Sequence, residues 1–187
     1  MELELAEYVA VLRRGGVVAC ATETLFGLLA DARSESAVAS VVALKQRGSD
    51  PIALLAPDLA SVEAIAELSP AGRVLAERHW PGPLTLILRA RPGLPAALLR
   101  AGTVGVRVPG PSAALSLVRA FGGPLTATSC NPTGLPAAGD DGEARRYFGE
   151  RVDAIVPGRA ARTLPSTLVD ATGATLTILR PGAVTLA

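Results

Sequence analysis

Strand-length apolar bursts alternate with helix-spaced segments along most of this chain, and strand-like bursts take over near its C-terminus. That order constrains the fold most, because alternating helices and strands need a sheet with helices laid on its faces. A closing run of strands makes that sheet mixed rather than wholly parallel. Leu5, Tyr8, Val9 and Leu12 recur at helical spacing until Gly15 and Gly16 stop the pattern. Residues 17–21 read as a buried strand, and Thr22, Glu23 and Thr24 as the polar loop after it. Ser34 suits the N-cap of a helix carrying Val38, Val41, Val42 and Leu44 towards Lys45. A strand is expected over 52–56, helices over 59–68 and 70–78, and strands over 84–88 and 104–108. Ser69 caps the second of those helices and Pro70 takes its first position. A helix over 112–120, a strand over 125–128 and a helix over 141–148 follow. Strands over 167–169, 175–179 and 184–186 close the chain. The expectation is a three-layer α/β domain around a twisted, mixed sheet. With 187 residues and no linker, repeat or low-complexity stretch, residues 1–187 are expected to form one domain.

Several function classes recede on composition. The net charge of +1 forces no nucleic-acid partner, so any RNA contact must come from a local patch. No stretch approaches the roughly 20 apolar residues of a membrane span. The acidic start, Met1-Glu2-Leu3-Glu4-Leu5, lacks the pattern of a signal peptide. With two distant cysteines, Cys20 and Cys130, it points to a reducing, cytoplasmic setting. One histidine, His79, and no paired cysteine spacing argue against a metal centre. There is no Gly-Lys pair for a Walker A loop, no G-x-G-x-x-G and no nucleophile elbow.

What remains is a set of cations and hydroxyls at strand ends, where open α/β sheets take their ligands. Thr22 to Thr24 follow one strand, Ser129, Cys130 and Asn131 follow another, and Arg107 and Arg180 lie near the ends of their own. Seventeen of the eighteen basic residues are arginine, and the one lysine is Lys45. A compact ammonium beside the Arg47 fork, at a helix end, suits a triphosphate or a carboxylate, although helix ends favour cations in any case. Lys45 is expected to be partly exposed there. Apart from Glu23, strong candidates for a general base are missing, so the set points to positioning and charge neutralisation, as in adenylyl or phosphoryl transfer.

In order, the segments Gly15-Gly16-Val17-Val18-Ala19-Cys20-Ala21-Thr22-Glu23-Thr24-Leu25-Phe26-Gly27-Leu28, Lys45-Gln46-Arg47, Trp80-Pro81-Gly82-Pro83-Leu84-Thr85-Leu86, Thr103-Val104-Gly105-Val106-Arg107-Val108-Pro109, Ser129-Cys130-Asn131-Pro132-Thr133-Gly134, Ser166-Thr167-Leu168-Val169-Asp170 and Ile178-Leu179-Arg180-Pro181-Gly182 resemble the YrdC/Sua5 family of threonylcarbamoyl-AMP synthases. The resemblance spans nearly the whole chain. It implies a YrdC-like α/β domain whose twisted, mixed and largely antiparallel sheet is flanked by helices and carries a concave basic site. It implies the reaction of L-threonine, bicarbonate and ATP to threonylcarbamoyl-AMP and pyrophosphate. That product serves t6A modification of tRNA at position 37, through a threonylcarbamoyl-transferase complex. By position in the family's motifs, Thr24, Arg107 and Ser166 should hold threonine. Lys45, Arg47, Thr103, Ser129, Asn131 and Arg180 should hold ATP, with Lys45 and Arg47 as the catalytic cations. Mg2+ is expected through the ATP phosphates rather than through a protein metal site.

The chain departs from the family's usual pattern at four places. Ala21 stands for a proline and Phe26 for a tyrosine. The segment from Gly48 lacks a proline and is one residue short, and Leu55 stands where some threonine-using members carry a histidine. These changes gather near the amino-acid pocket that the resemblance implies. A paralogue that binds double-stranded RNA, or that adenylates another carbamoylated acceptor, therefore stays open at this point, as do the oligomeric state and the role of Cys130.

Overall fold

The computed structural model describes residues 4–45, 51–161 and 164–186. Its elements in chain order are α1 (Leu5–Arg13), β1 (Val18–Ala21), β2 (Phe26–Leu29), α2 (Glu35–Lys45), β3 (Ala53–Leu55), α3 (Leu59–Ile65), β4 (Ala66–Glu67) and α4 (Pro70–His79). After these come β5 (Leu84–Ala90), β6 (Thr103–Arg107), α5 (Ala113–Phe121), β7 (Leu125–Ser129), α6 (Asp141–Phe148), β8 (Ala154–Ile155), β9 (Thr167–Asp170) and β10 (Thr177–Arg180). The helix starts follow local chemistry. The hydroxyls of Ser34, Ser69 and Ser112 and the carboxylates of Asp58 and Asp140 each accept from an orphan amide three residues on.

All ten strands join one sheet, ordered β10-β9-β5-β6-β3-β7-β2-β1-β8, with β4 pairing β5 off that path. The β1–β8, β3–β6 and β5–β9 ladders are parallel. The other six are antiparallel. Three strands, β2, β4 and β8, were not legible in the sequence. Gly27 interrupts the apolar pattern of β2, and β8 is only two residues long. The helix expected to 68 stops at Ile65, because Ala66 turns extended to pair with Ala90 of β5. The strand expected over 184–186 is absent. The Thr167 hydroxyl donates to the Val184 carbonyl at 2.6 Å and accepts from the Val184 amide at 3.0 Å, so one side chain takes the groups a ladder would have used. No helix among the described residues is long and apolar enough to cross a membrane.

Strand alternation sends successive side chains to opposite faces, and here it separates core from cavity. On one face Ala19, Leu28, Leu54, Leu86, Val106 and Val169 pack with side chains of α2, α3, α4 and α6. On the other, Val18, Cys20, Leu29, Leu55 and Leu125 pack under α1 and α5. Helices thus lie on both faces of the sheet, but α1 and α5 cover only part of the second. Where they stop, the same-facing residues Gly27, Ala53, Gly105 and Ala127 are small, and a cavity opens over them.

Candidate active site

The cavity has a volume of about 400 Å³ and crosses seven adjacent strands, from Arg180 on β10 to Gly27 on β2. Its floor is apolar, with Ala53, Leu55, Ile87, Ala127 and Leu168. Its walls carry the hydroxyls of Thr22, Thr24, Thr85, Thr128, Ser129 and Ser166 and the guanidiniums of Arg100, Arg107 and Arg180. No acidic side chain lines it among the described residues.

At one end, the turn after β1 folds around its own hydroxyl. Thr22 Oγ1 accepts from the amides of Thr24 and Leu25, each at 3.1 Å, and donates to the Leu25 carbonyl at 2.7 Å. That spends the Thr22 proton, so Thr24 Oγ1, 2.9 Å away, donates to Thr22. Thr24 Oγ1 in turn accepts from Arg107 Nη1 at 3.1 Å. The Arg107 side chain is only 8% exposed, and its partner in charge is Glu23, 3.5 Å away. Burial pulls the Arg107 guanidinium below its ordinary range. Glu23 works against that shift and Arg180 adds to it. An arginine still keeps its charge at any working pH.

Arg180 arrives from the edge strand through a close backbone crossing. A Cβ on Gly182 would lie 2.4 Å from the Pro165 carbonyl oxygen and 2.6 Å from Ser166 C, closer than packed atoms allow. Glycine therefore lets the turn after β10 press on residues 165–167. Arg180 Nη2 then donates to the Ser166 carbonyl at 3.0 Å, and Ser166 Oγ meets Thr85 Oγ1 at 2.8 Å.

At the third side, the loop after β7 is tied to the end of α2. Lys45 Nζ donates to the carbonyls of Ser129 at 2.7 Å and Asn131 at 2.6 Å, and to Asn131 Oδ1 at 2.9 Å. Ser129 Oγ donates to the same Oδ1 at 2.6 Å, and Thr133 Oγ1 donates back to the Lys45 carbonyl at 2.7 Å. Lys45 is 3% exposed. The expectation of a partly exposed lysine is thereby corrected: the loop folds over the ammonium and takes it as a brace.

Of the residues singled out from the sequence, Thr24, Arg107, Ser129, Ser166 and Arg180 line this one cavity, and Lys45 and Asn131 are bonded to its Ser129 edge. Thr103 does not line it. It opens β6 at the end far from Arg107 and donates to the Arg100 carbonyl at 2.7 Å. Arg47 and Gly48 lie outside the described residues. Sequence reasoning missed Thr85 and Arg100. Thr85 was findable as the polar residue inside an apolar strand, whereas nothing in the pattern around Arg100 marks it.

A family model covering Sua5, YciO and YrdC, described as "Telomere recombination", matches residues 10–182. The chain belongs to the Sua5/YciO/YrdC family. A "Threonylcarbamoyl-AMP synthase" of Cellvibrio japonicus is 40% identical over 164 residues, covering 86% of this chain and 87% of that one. Among solved structures, P. abyssi Sua5 complexed with L-threonine superposes with a TM-score of 0.89 at 31% identity and covers 97% of this chain. This chain spans 56% of that Sua5 chain. E. coli YciO gives a TM-score of 0.87 at 26% identity, covering 95% of this chain and 88% of its own. Within the family pattern, two of this chain's departures are core positions. Ala21 closes β1 and Phe26 opens β2, both buried. Phe26 and Leu55 both line the cavity as well, and Leu55 sits beside Arg107 in the β3–β6 ladder.

Proposed function

We propose that the chain is an L-threonylcarbamoyladenylate synthase, a nucleotidyltransferase that converts L-threonine, bicarbonate and ATP to threonylcarbamoyl-AMP and pyrophosphate. The product would then pass to a threonylcarbamoyl-transferase complex acting on tRNA. The observation that carries this reading is the joint lining of one cavity by Thr24, Arg107 and Ser166 and by Ser129 and Arg180. Its volume of about 400 Å³ falls in the range of small-molecule sites, which favours soluble substrates over a nucleic-acid duplex. The kinship with chains named as synthases supports it.

Threonine is held at Arg107. The guanidinium takes its carboxylate, Thr24 and Ser166 fix its orientation, and Leu55 and Leu25 face its methyl group. ATP lies towards Ser129 and Arg180, with Arg100 at the rim. The amine attacks the bicarbonate carbon and water leaves, giving a carbamate. A carbamate oxygen then attacks the α-phosphorus, the bond to the bridging oxygen breaks and pyrophosphate departs. Each step crowds anions together, and opposite charges about 4 Å apart near a protein surface gain roughly 4 kcal/mol. Fixed guanidiniums supply that attraction without reorganising during the reaction. No group of three or more acidic, histidine or cysteine side chains is placed to hold a metal among the described residues. Mg2+ would be carried on the triphosphate oxygens, which suits an ion that keeps most of its water.

The direct test is mass spectrometry of the product formed from labelled bicarbonate. Label should appear in an adenylate containing both threonine and the bicarbonate carbon. Adenylate that forms with another amino acid at the threonine level, or no adenylate at all, would contradict the proposal.

A further inference from the structure

The cavity's charge poses a problem for an amino acid. Its lining holds three guanidiniums and no acid, whereas a free amino acid brings an ammonium as well as a carboxylate. Three cations repel that ammonium. Among the described residues, Glu23 is the one acid within ion-pair distance of a lining cation. Both of its carboxylate oxygens are buried, and neither receives a hydrogen bond there. A buried carboxylate with one ion-pair contact and no hydrogen bond from the chain is costly, so a position that keeps one needs a reason.

The backbone makes room for it. A Cβ on Gly110 would stand 3.1 Å from Glu23 Cγ and 3.5 Å from its Cδ, so the acid lies flat on a backbone that has no side chain there. Glu23 and Gly110 flank Arg107 from two separate loops, each three residues or fewer from a strand end.

We propose that Glu23 is a positioning residue that holds Arg107 and gives this end of the cavity its preference for a zwitterion over a simple anion. Arg107 draws the substrate carboxylate while the field of Glu23 offsets cation repulsion of the neighbouring ammonium. The proposal rests on the threonine reading above and adds to it what selects an amino acid rather than a carboxylic acid.

Isothermal titration of L-threonine and of 3-hydroxybutyrate, which keeps the carboxylate and hydroxyl but lacks the amine, tests it. The wild-type chain should favour threonine by tenfold or more. Glu23→Gln should narrow that ratio to within threefold while ATP affinity moves less than twofold. Gly110→Ala keeps the charge but displaces the carboxylate, and it should narrow the ratio at least threefold. It carries the test if Glu23→Gln does not fold. A merely structural role would weaken both ligands together and leave the ratio unchanged, and that result overturns the proposal. A wild-type chain that binds both ligands equally does the same. If the wild-type chain binds no threonine, the substrate reading fails and this proposal falls with it.

Discussion

Lys45 and Asn131, 86 positions apart, meet through two contacts of the same ammonium, 2.6 Å to the Asn131 carbonyl and 2.9 Å to its side-chain oxygen. The lysine ends α2 and the asparagine follows β7, so one cation clamps a helix to a loop at the cavity edge. Lys45→Ala leaves those buried acceptors without their donor. The expected cost is about 3 kcal/mol, against under about 0.5 kcal/mol for a solvent-facing lysine. Urea titration measures it. Lys45→Arg should recover little, because a planar fork does not fit three acceptors arranged around a point charge. Unchanged stability in Lys45→Ala would contradict the clamp.

Gly182 controls the other wall. Its missing Cβ lets the turn after Arg180 rest on the backbone at Ser166. Gly182→Ala is expected to cost about 2 kcal/mol through overpacking and to weaken ATP binding by swinging Arg180 away from the cavity. Thermal unfolding and nucleotide titration check the two effects together. Gly173→Ala, where a Cβ meets nothing within 4 Å, is the control and should change neither.

How far the sequence could reach is clear from particular elements. Local chemistry was readable: Ser69, Ser112 and the α1 glycine stop mark real helix ends, and apolar bursts mark β1, β3, β5, β6, β7 and β9. What failed depended on partners far along the chain. Ala66 leaves its helix because β5 is there to pair it, and Val184 loses its ladder to a threonine 17 residues back. The Ser166, Thr24 and Arg107 grouping followed from family motifs. The burial of Lys45 did not, since it depends on a loop more than 80 residues downstream. Arg100 reaches the cavity only because the chain reverses tightly before β6, where Arg100 and Thr103 bridge.

Arg100 is exposed, lines the cavity mouth and has no ion-pair partner among the described residues. On the proposed function it steers the triphosphate. Arg100→Ala should raise KM for ATP about tenfold, a loss of ~1.4 kcal/mol, with stability within about 0.5 kcal/mol of the wild type. The effect should shrink at high salt, because charges at an exposed rim are screened. Equal KM values in steady-state kinetics would remove Arg100 from the site.

Cys130 lies between Ser129 and Asn131 yet is fully buried. Burial pushes its thiol up from 9.0 to about 12, with Lys45 pulling slightly the other way. The thiol is therefore protonated and unreactive at neutral pH. A thiol raised on folding contributes stability that is fully present below its unfolded value and is lost as pH rises towards the folded one. Stability should thus decline from about pH 9 upwards, and Cys130→Ala should flatten that decline. Thiol reagents at pH 7.5 should label the native chain only at the rate of unfolding. Fast stoichiometric labelling of Cys130 would contradict its burial.

The most direct measurement is pyrophosphate release in an omission series, with Mg2+ present throughout. Release should need L-threonine, bicarbonate and ATP together, and Arg107→Lys, which keeps a cation beside Glu23 but loses the fork, should abolish it while the fold persists. Release that continues without threonine or without bicarbonate, or that survives the loss of Arg107, would contradict a cavity that joins these three substrates.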